Sequence, residues 1–261
     1  MSKPLERMKM NQDHFENQEY KENQKETEVF VGQVPPEARP RLLINRRTPI
    51  ATYTIAAITV LIFAIDYIME LVWGIPLLTL LGAKINSAIL AGQFWRLITP
   101  MLLHADFAHI LFNMFALLVW GQRLEALLGR TRYLLLYFLS GMLGCAASFA
   151  FSSAMSVGAS GAIFGLFGAM LYFRKQHREM FKAVFGVQVL VILGMNLVIG
   201  FLGSNIDNFG HIGGLIGGFL VCGITGFYGQ KQSAAVRFGC IAGYLLLFAG
   251  LIAYRYGIVY F

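Results

Sequence analysis

Ser160 stands in Gly158-Ala159-Ser160-Gly161 and His211 in Asn208-Phe209-Gly210-His211-Ile212-Gly213-Gly214, each at the opening of a glycine-rich apolar segment. A serine hydroxyl is a weak nucleophile until a base takes its proton, and an imidazole titrating near neutrality suits that task. If their helices hold them within hydrogen-bond reach, the chemistry is attack on a carbonyl followed by hydrolysis. The developing oxyanion then needs donors. His109 and Asn113 are four residues apart and share one helical face, and His104 precedes His109 by five. The Ser160 N–H lies at a helix start, where amides are unpaired and the dipole favours negative charge. No carboxylate is well placed as a third member. Asp207 precedes His211 by four, but it reads as a cap in a short loop. A Ser–His dyad is the better reading. Two alternatives stay open at this level: most lone serines in apolar helices bond their own backbone, and a His/His/Asn/His set also suits a relay or a metal, though no thiolate or acidic ligand joins it.

The elements that must position these residues are membrane helices. The 261 residues are 57% hydrophobic and 13% charged, with positive mean hydropathy, which excludes a soluble domain of this length. Apolar stretches run over 49–73, 98–119, 133–153, 158–173, 183–202, 208–228 and 238–257. Most approach the ~20 residues that a ~30 Å hydrocarbon core requires. The fourth is short, reaching only ~24 Å at the helical rise. Residues 1–47 hold nine Lys/Arg and eight Asp/Glu and begin without an apolar run. They are expected to form a polar, flexible cytoplasmic tail without a signal peptide. Cys145, Cys222 and Cys240 lie in separate apolar runs, with neither zinc spacing nor a disulfide framework.

The net charge of +7 arises mainly from short loops between apolar runs, so membrane topology explains it and nucleic acid does not. With the tail inside, the inner loops carry nine Lys/Arg and the outer ones only Lys84, Arg96 and Arg255, which sets the N-terminus cytoplasmic and the C-terminus outside. Spans two, four and six then descend from the outer face. His104, His109, Ser160 and His211 fall at similar depth, where polar groups face a bundle interior or a water-filled cavity. Close approach is provided for. Span six has Gly210, Gly214 and Gly218 at four-residue intervals, and span four has Gly158, Gly161, Gly165 and Gly168. Small residues so spaced let helices pack backbone to backbone. Asp66 and Glu70 in span one read as interfacial or interhelical partners, and His14 and His177 as solvated.

These residues resemble the rhomboid family of intramembrane serine proteases. The resemblance covers roughly 48–228, the six-span core, and rests on motifs in order: Trp95-Arg96, His104-x4-His109-x3-Asn113, Gly121-x3-Glu125-x3-Gly129, Gly158-Ala159-Ser160-Gly161 and Gly210-His211-Ile212-Gly213-Gly214. It implies an all-α polytopic bundle, with 229–261 added as a seventh helix and short C-terminus. It makes Ser160 the nucleophile, His211 the base, and His109, Asn113 and the Ser160 amide the oxyanion hole. His104 supports that network. Phe164 takes a position where the family often has tyrosine, so ring stacking on His211 survives and the hydroxyl is lost. Trp95 and Arg96 belong to a partly embedded first loop, and Glu125 pairs with an arginine.

The resemblance implies a plasma-membrane endopeptidase that needs no cofactor or metal and cuts in or near transmembrane segments of other membrane proteins. Its partners are those substrates and the bilayer. A catalytically silent, client-binding relative is the first alternative. Retention of both Ser160 and His211 argues against it. A transporter is the second, but it calls for ionisable groups deep in several spans and an internal repeat.

Overall fold

The computed structural model describes residues 48–202 and 206–260. The tail expected over 1–47 lies outside them. Each of the seven apolar stretches contains a helix. Helix α1 is Ile50–Trp73, and Pro49, which lacks an N–H, stands at its start. Two short helices, α2 (Leu77–Gly82) and α3 (Asn86–Leu90), follow with 3₁₀ turns at Phe94–Leu97 and Thr99–Leu102. Together they make up the loop ahead of span two that carries Trp95 and Arg96.

That span starts later than position 98. Pro100 lies in a 3₁₀ turn, and Asp106 caps α4, which runs Phe107–Leu128 through one π turn at Leu117–Gly121. His104 therefore belongs to the loop ahead of the helix. Helix α5 is Arg130–Phe151, and α6 is Ser160–Gln176, seventeen residues or ~26 Å. The stretch drawn as 183–202 is two helices, α7 (Arg178–Val184) and α8 (Gln188–Leu202), bent by 80°. Gly186, at φ 74°, makes the corner. Helices α9 (Asn208–Thr225) and α10 (Ala234–Tyr260) complete the bundle.

Among the described residues, five helices are long and apolar enough to cross a membrane, or six if the bent pair α7–α8 counts as one span. The chain is a multi-pass membrane protein. Its outer surface carries Leu61, Leu71, Phe112, Phe115, Val191 and Leu246, an exposed apolar area consistent with a membrane environment. Polar side chains turn inward, with Thr52, Lys84, Arg96, Asn113, Glu125 and Ser148 all buried. At the centre, α9 packs against α5 and α6, while α10 rests on the outside of α9 and α5.

Candidate active site

Ser160 is the first residue of α6, and His211 lies in the first turn of α9. Backbone contact brings the two helix starts together. A Cβ on Gly161 would sit 3.5 Å from the Gly210 carbonyl oxygen, and one on Gly214 would overlap the Gly161 carbonyl. One turn on, a Cβ on Gly218 would overlap the Gly165 carbonyl. Across the third helix, a Cβ on Gly144 would stand 2.7 Å from the Gly210 carbonyl oxygen. The helices touch where only glycine leaves room.

The His211 imidazole is 8% exposed and lies flat on the Phe164 ring, with centroids 4.1 Å apart and planes at 9°. Phe164 is one turn after Ser160, so the ring that carries the imidazole shares a helix face with the serine. Among the described residues, His211 Nδ1 has no hydrogen-bond partner. Asp207 does not reach it. Its carboxylate caps α9 by accepting from Gly210 N at 3.0 Å and also takes the Ser148 hydroxyl.

Helix α4 supplies the third side. Asp106, in extended conformation, accepts from His109 N at 2.8 Å and so fixes the first turn. The His109 ring then lies against Gly158, where a Cβ would come within 2.6 Å of ring atoms Cε1 and Nε2. Gly158 also has φ 125°, so both backbone and contact demand glycine. Asn113, one turn below, is buried and donates from Nδ2 to its own helix at His109 O, 3.0 Å. The same Nδ2 is 3.9 Å from the position of a Gly158 Cβ. Buried His104 stands edge-on to His109 at 5.0 Å, and its Nε2 accepts a long 3.5 Å contact from Ala159 N, beside the serine.

The structure thus gathers Ser160, His211, Phe164, His109, Asn113, His104, Gly158, Gly161, Gly210 and Gly214. Gly218 extends the same helix contact deeper. Trp95, Arg96 and Glu125 lie elsewhere and hold scaffold. Arg96 is buried and donates to Ala83 O (2.7 Å), Leu80 O (2.8 Å) and Gln93 Oε1 (2.7 Å). It thereby satisfies carbonyls at the negative end of α2. Trp95 Nε1 donates to Leu81 O at 3.0 Å. Asp66 caps the other end of α2, accepting from Leu78 N and Thr79 N at 2.7 and 3.1 Å.

Glu125, at the far end of α4 from His109, accepts from Ala51 N (3.0 Å), Thr52 N (2.8 Å) and Thr52 Oγ1 (2.8 Å). It supplies the cap that α1 lacks in its own sequence. Its arginine is Arg130, with Nε 3.9 Å away.

The rhomboid domain matches residues 91–228, just over half of the chain and every site residue from Trp95 to Gly218. The chain belongs to the rhomboid family. Rhomboid protease GluP of Bacillus subtilis is 43% identical over 196 residues, 72% of this chain and 38% of its own length. The putative rhomboid protease YdcA of the same organism is 39% identical over 138 residues, 52% of this chain and 69% of that protein. RHOMBOID-like protein 7 of Arabidopsis thaliana is 46% identical over 132 residues, 49% of this chain and 42% of its own length. The chain thus spans about two fifths of the lengths of GluP and RHOMBOID-like protein 7.

Three further residues shape this rhomboid site without having stood out in the sequence: Gly144, Ser148 and Lys84. Gly144 and Ser148 continue a small-residue face through α5, four apart, which was the available signal. Lys84 counted only as an outer-loop cation. It is fully buried and donates to Ser152 O (2.9 Å) and Ala154 O (2.8 Å). Burial lowers its ammonium pKa to about 8, and the Asp207 charge opposes that shift.

Proposed function

We propose that this rhomboid is an intramembrane serine endopeptidase that cuts peptide bonds in or near transmembrane segments of other membrane proteins, with Ser160 and His211 as a dyad. The observation that carries the reading is the backbone contact of Gly161 with Gly210 and Gly214, with His211 stacked on Phe164. That contact, at the adjoining starts of α6 and α9, supports reading Ser160 as the nucleophile and His211 as its base. His211 takes the Ser160 proton as Oγ bonds to the scissile carbonyl carbon. The resulting oxyanion receives hydrogen bonds from the Ser160 N–H, Asn113 Nδ2 and His109. His211 then gives its proton to the leaving amine as the C–N bond breaks; water, deprotonated by the same imidazole, bonds to the acyl carbon, and that proton passes to Ser160 Oγ as the acyl–Oγ bond breaks.

The basic-residue asymmetry supports an orientation with the N-terminus cytoplasmic and these helix starts in the outer half of the bilayer, here read as the plasma membrane. At that depth, polar groups are tolerated because they are buried in protein or line a wet cavity. Substrate helices reach the site sideways from lipid, past the bent α7–α8 span. The reaction needs no metal or nucleotide.

The test is cleavage of a single-span substrate in proteoliposomes with EDTA present, wild type beside Ser160→Ala and His211→Ala. Cleavage by wild type alone supports the reading, as does fluorophosphonate labelling at Ser160. Folded wild type that neither cuts nor labels leaves the client-binding alternative standing in its place.

A further inference from the structure

Asp207 does more than cap a helix. Its Oδ1 accepts from Gly210 N, beside the base, at 3.0 Å, while Oδ2 takes the hydroxyl of Ser148 from α5. An N-cap needs only the first of these. Ser148, 1% exposed, also lies 3.3 Å from Ser156 Oγ. Since the Ser148 proton goes to the carboxylate, Ser156 is the donor in that pair. Ser156 stands in the segment leading to the nucleophile, and its backbone pairs with Lys84 in both directions at 3.0 and 3.2 Å. The Lys84 ammonium holds the same segment by Ser152 O and Ala154 O. One hydrogen-bonded path therefore joins the residues just ahead of His211 to those just ahead of Ser160. It passes through a single serine on the third helix.

We propose that Asp207 and Ser148 are positioning residues for the Ser160–His211 pair: the Ser148 hydroxyl, held between the Asp207 carboxylate and the Ser156 hydroxyl, locks the start of α9 to the segment that delivers the nucleophile. This inference rests on the protease reading above. Glycine contacts set how closely α6 and α9 approach. They do not stop one helix start from sliding along the other. A directional polar tie does, and here its centre, Ser148, is buried while Asp207 and Ser156 are half-buried.

The test uses full-length enzyme in proteoliposomes, with rates referred to sites titrated to completion by a fluorophosphonate. Ser148→Ala and Asp207→Ala should each lower kcat by about 10–100-fold, the range that follows from a misplacement approaching 1 Å, with KM for a single-span substrate unchanged. The double variant should be no slower than the worse single, since both remove one tie. Asp207→Asn keeps an acceptor for Gly210 N–H and a partner for Ser148, and it should retain most of kcat. A merely structural cap would lower thermal stability and leave kcat per titrated site untouched.

Full kcat in Ser148→Ala overturns the inference while the protease reading stands. So do multiplicative losses in the double variant, or an Asn variant as slow as the Ala variant. If Asp207→Ala does not fold, Ser148→Ala and Asp207→Asn decide. Wild type that neither cleaves nor labels removes the protease reading and this inference together.

Discussion

Gly214→Ala is the most incisive single perturbation of this site. The new methyl would fall on the Gly161 carbonyl oxygen, well inside the 3.0 Å that real Cβ contacts respect, and backbone rather than a flexible side chain must give way. Restoring that limit parts α6 from α9 by about 1 Å, and a misplacement of that size between reacting groups costs on the order of 10²-fold in rate. Overpacking of this kind also costs ~1–3 kcal/mol of stability. Both effects act beside the proposed Ser160–His211 pair, because Gly161 adjoins Ser160 and Gly214 is one turn from His211. Gly250→Ala on α10 is the control, since its Cβ meets nothing within 4 Å. The assay is proteoliposome cleavage of a single-span substrate, with fluorophosphonate labelling rate as a substrate-free measure of the nucleophile. Gly214→Ala should lose about two orders of magnitude in both while Gly250→Ala matches wild type. A Gly214→Ala enzyme within two-fold of wild type would refute the claim that backbone contact sets the catalytic distance.

Three other outcomes are expected. Asn113→Ala should lower kcat by ~10²–10³, the loss typical of one oxyanion donor, with little change in KM; an unchanged kcat removes Asn113 from that role. Phe164→Leu should give up the ring stacking on His211, ~0.5–1.5 kcal/mol, and slow turnover by up to about ten-fold, whereas Phe164→Tyr should keep the stacking and the rate. Glu125→Ala leaves the Ala51 and Thr52 amides buried without their acceptor, at roughly 1–3 kcal/mol for each donor left unmade. Thermal unfolding in detergent should fall accordingly while kcat per titrated site holds; a lowered kcat at unchanged stability would contradict a purely structural role.

The helices and the grouping at their starts were legible because lipid imposes strong, local rules. Span length and glycine spacing act within one segment at a time, so the helices carrying Ser160 and His211 and the glycines through which they meet were visible along the chain. Boundaries depended on competing local signals. Asp106 caps α4 and delays it beyond 98, and Gly186 breaks the fifth stretch into two helices. Both residues were visible, but apolar content outweighed them. Glu125 was assigned an arginine partner and has Arg130 near it, yet its closer bonds go to the first amides of α1, seventy-odd positions away. No local pattern encodes which helix start lies beside which side chain.

The same limit explains Lys84 and Asp207. In sequence one was an outer-loop cation and the other a cap, each a complete local account. Only tertiary packing shows that the lysine is buried with its ammonium on two carbonyls, and that the aspartate has a second oxygen to give to Ser148. Burying a lysine ammonium is costly unless it is bonded, and here buried Lys84 and half-buried Asp207 are both bonded to the segments that lead to Ser160 and His211. A scaffold needing only stability would do as well with apolar side chains at these positions. Polar ties with fixed direction are what a reaction needs when its two partners sit on separate helices whose glycine faces would otherwise slide.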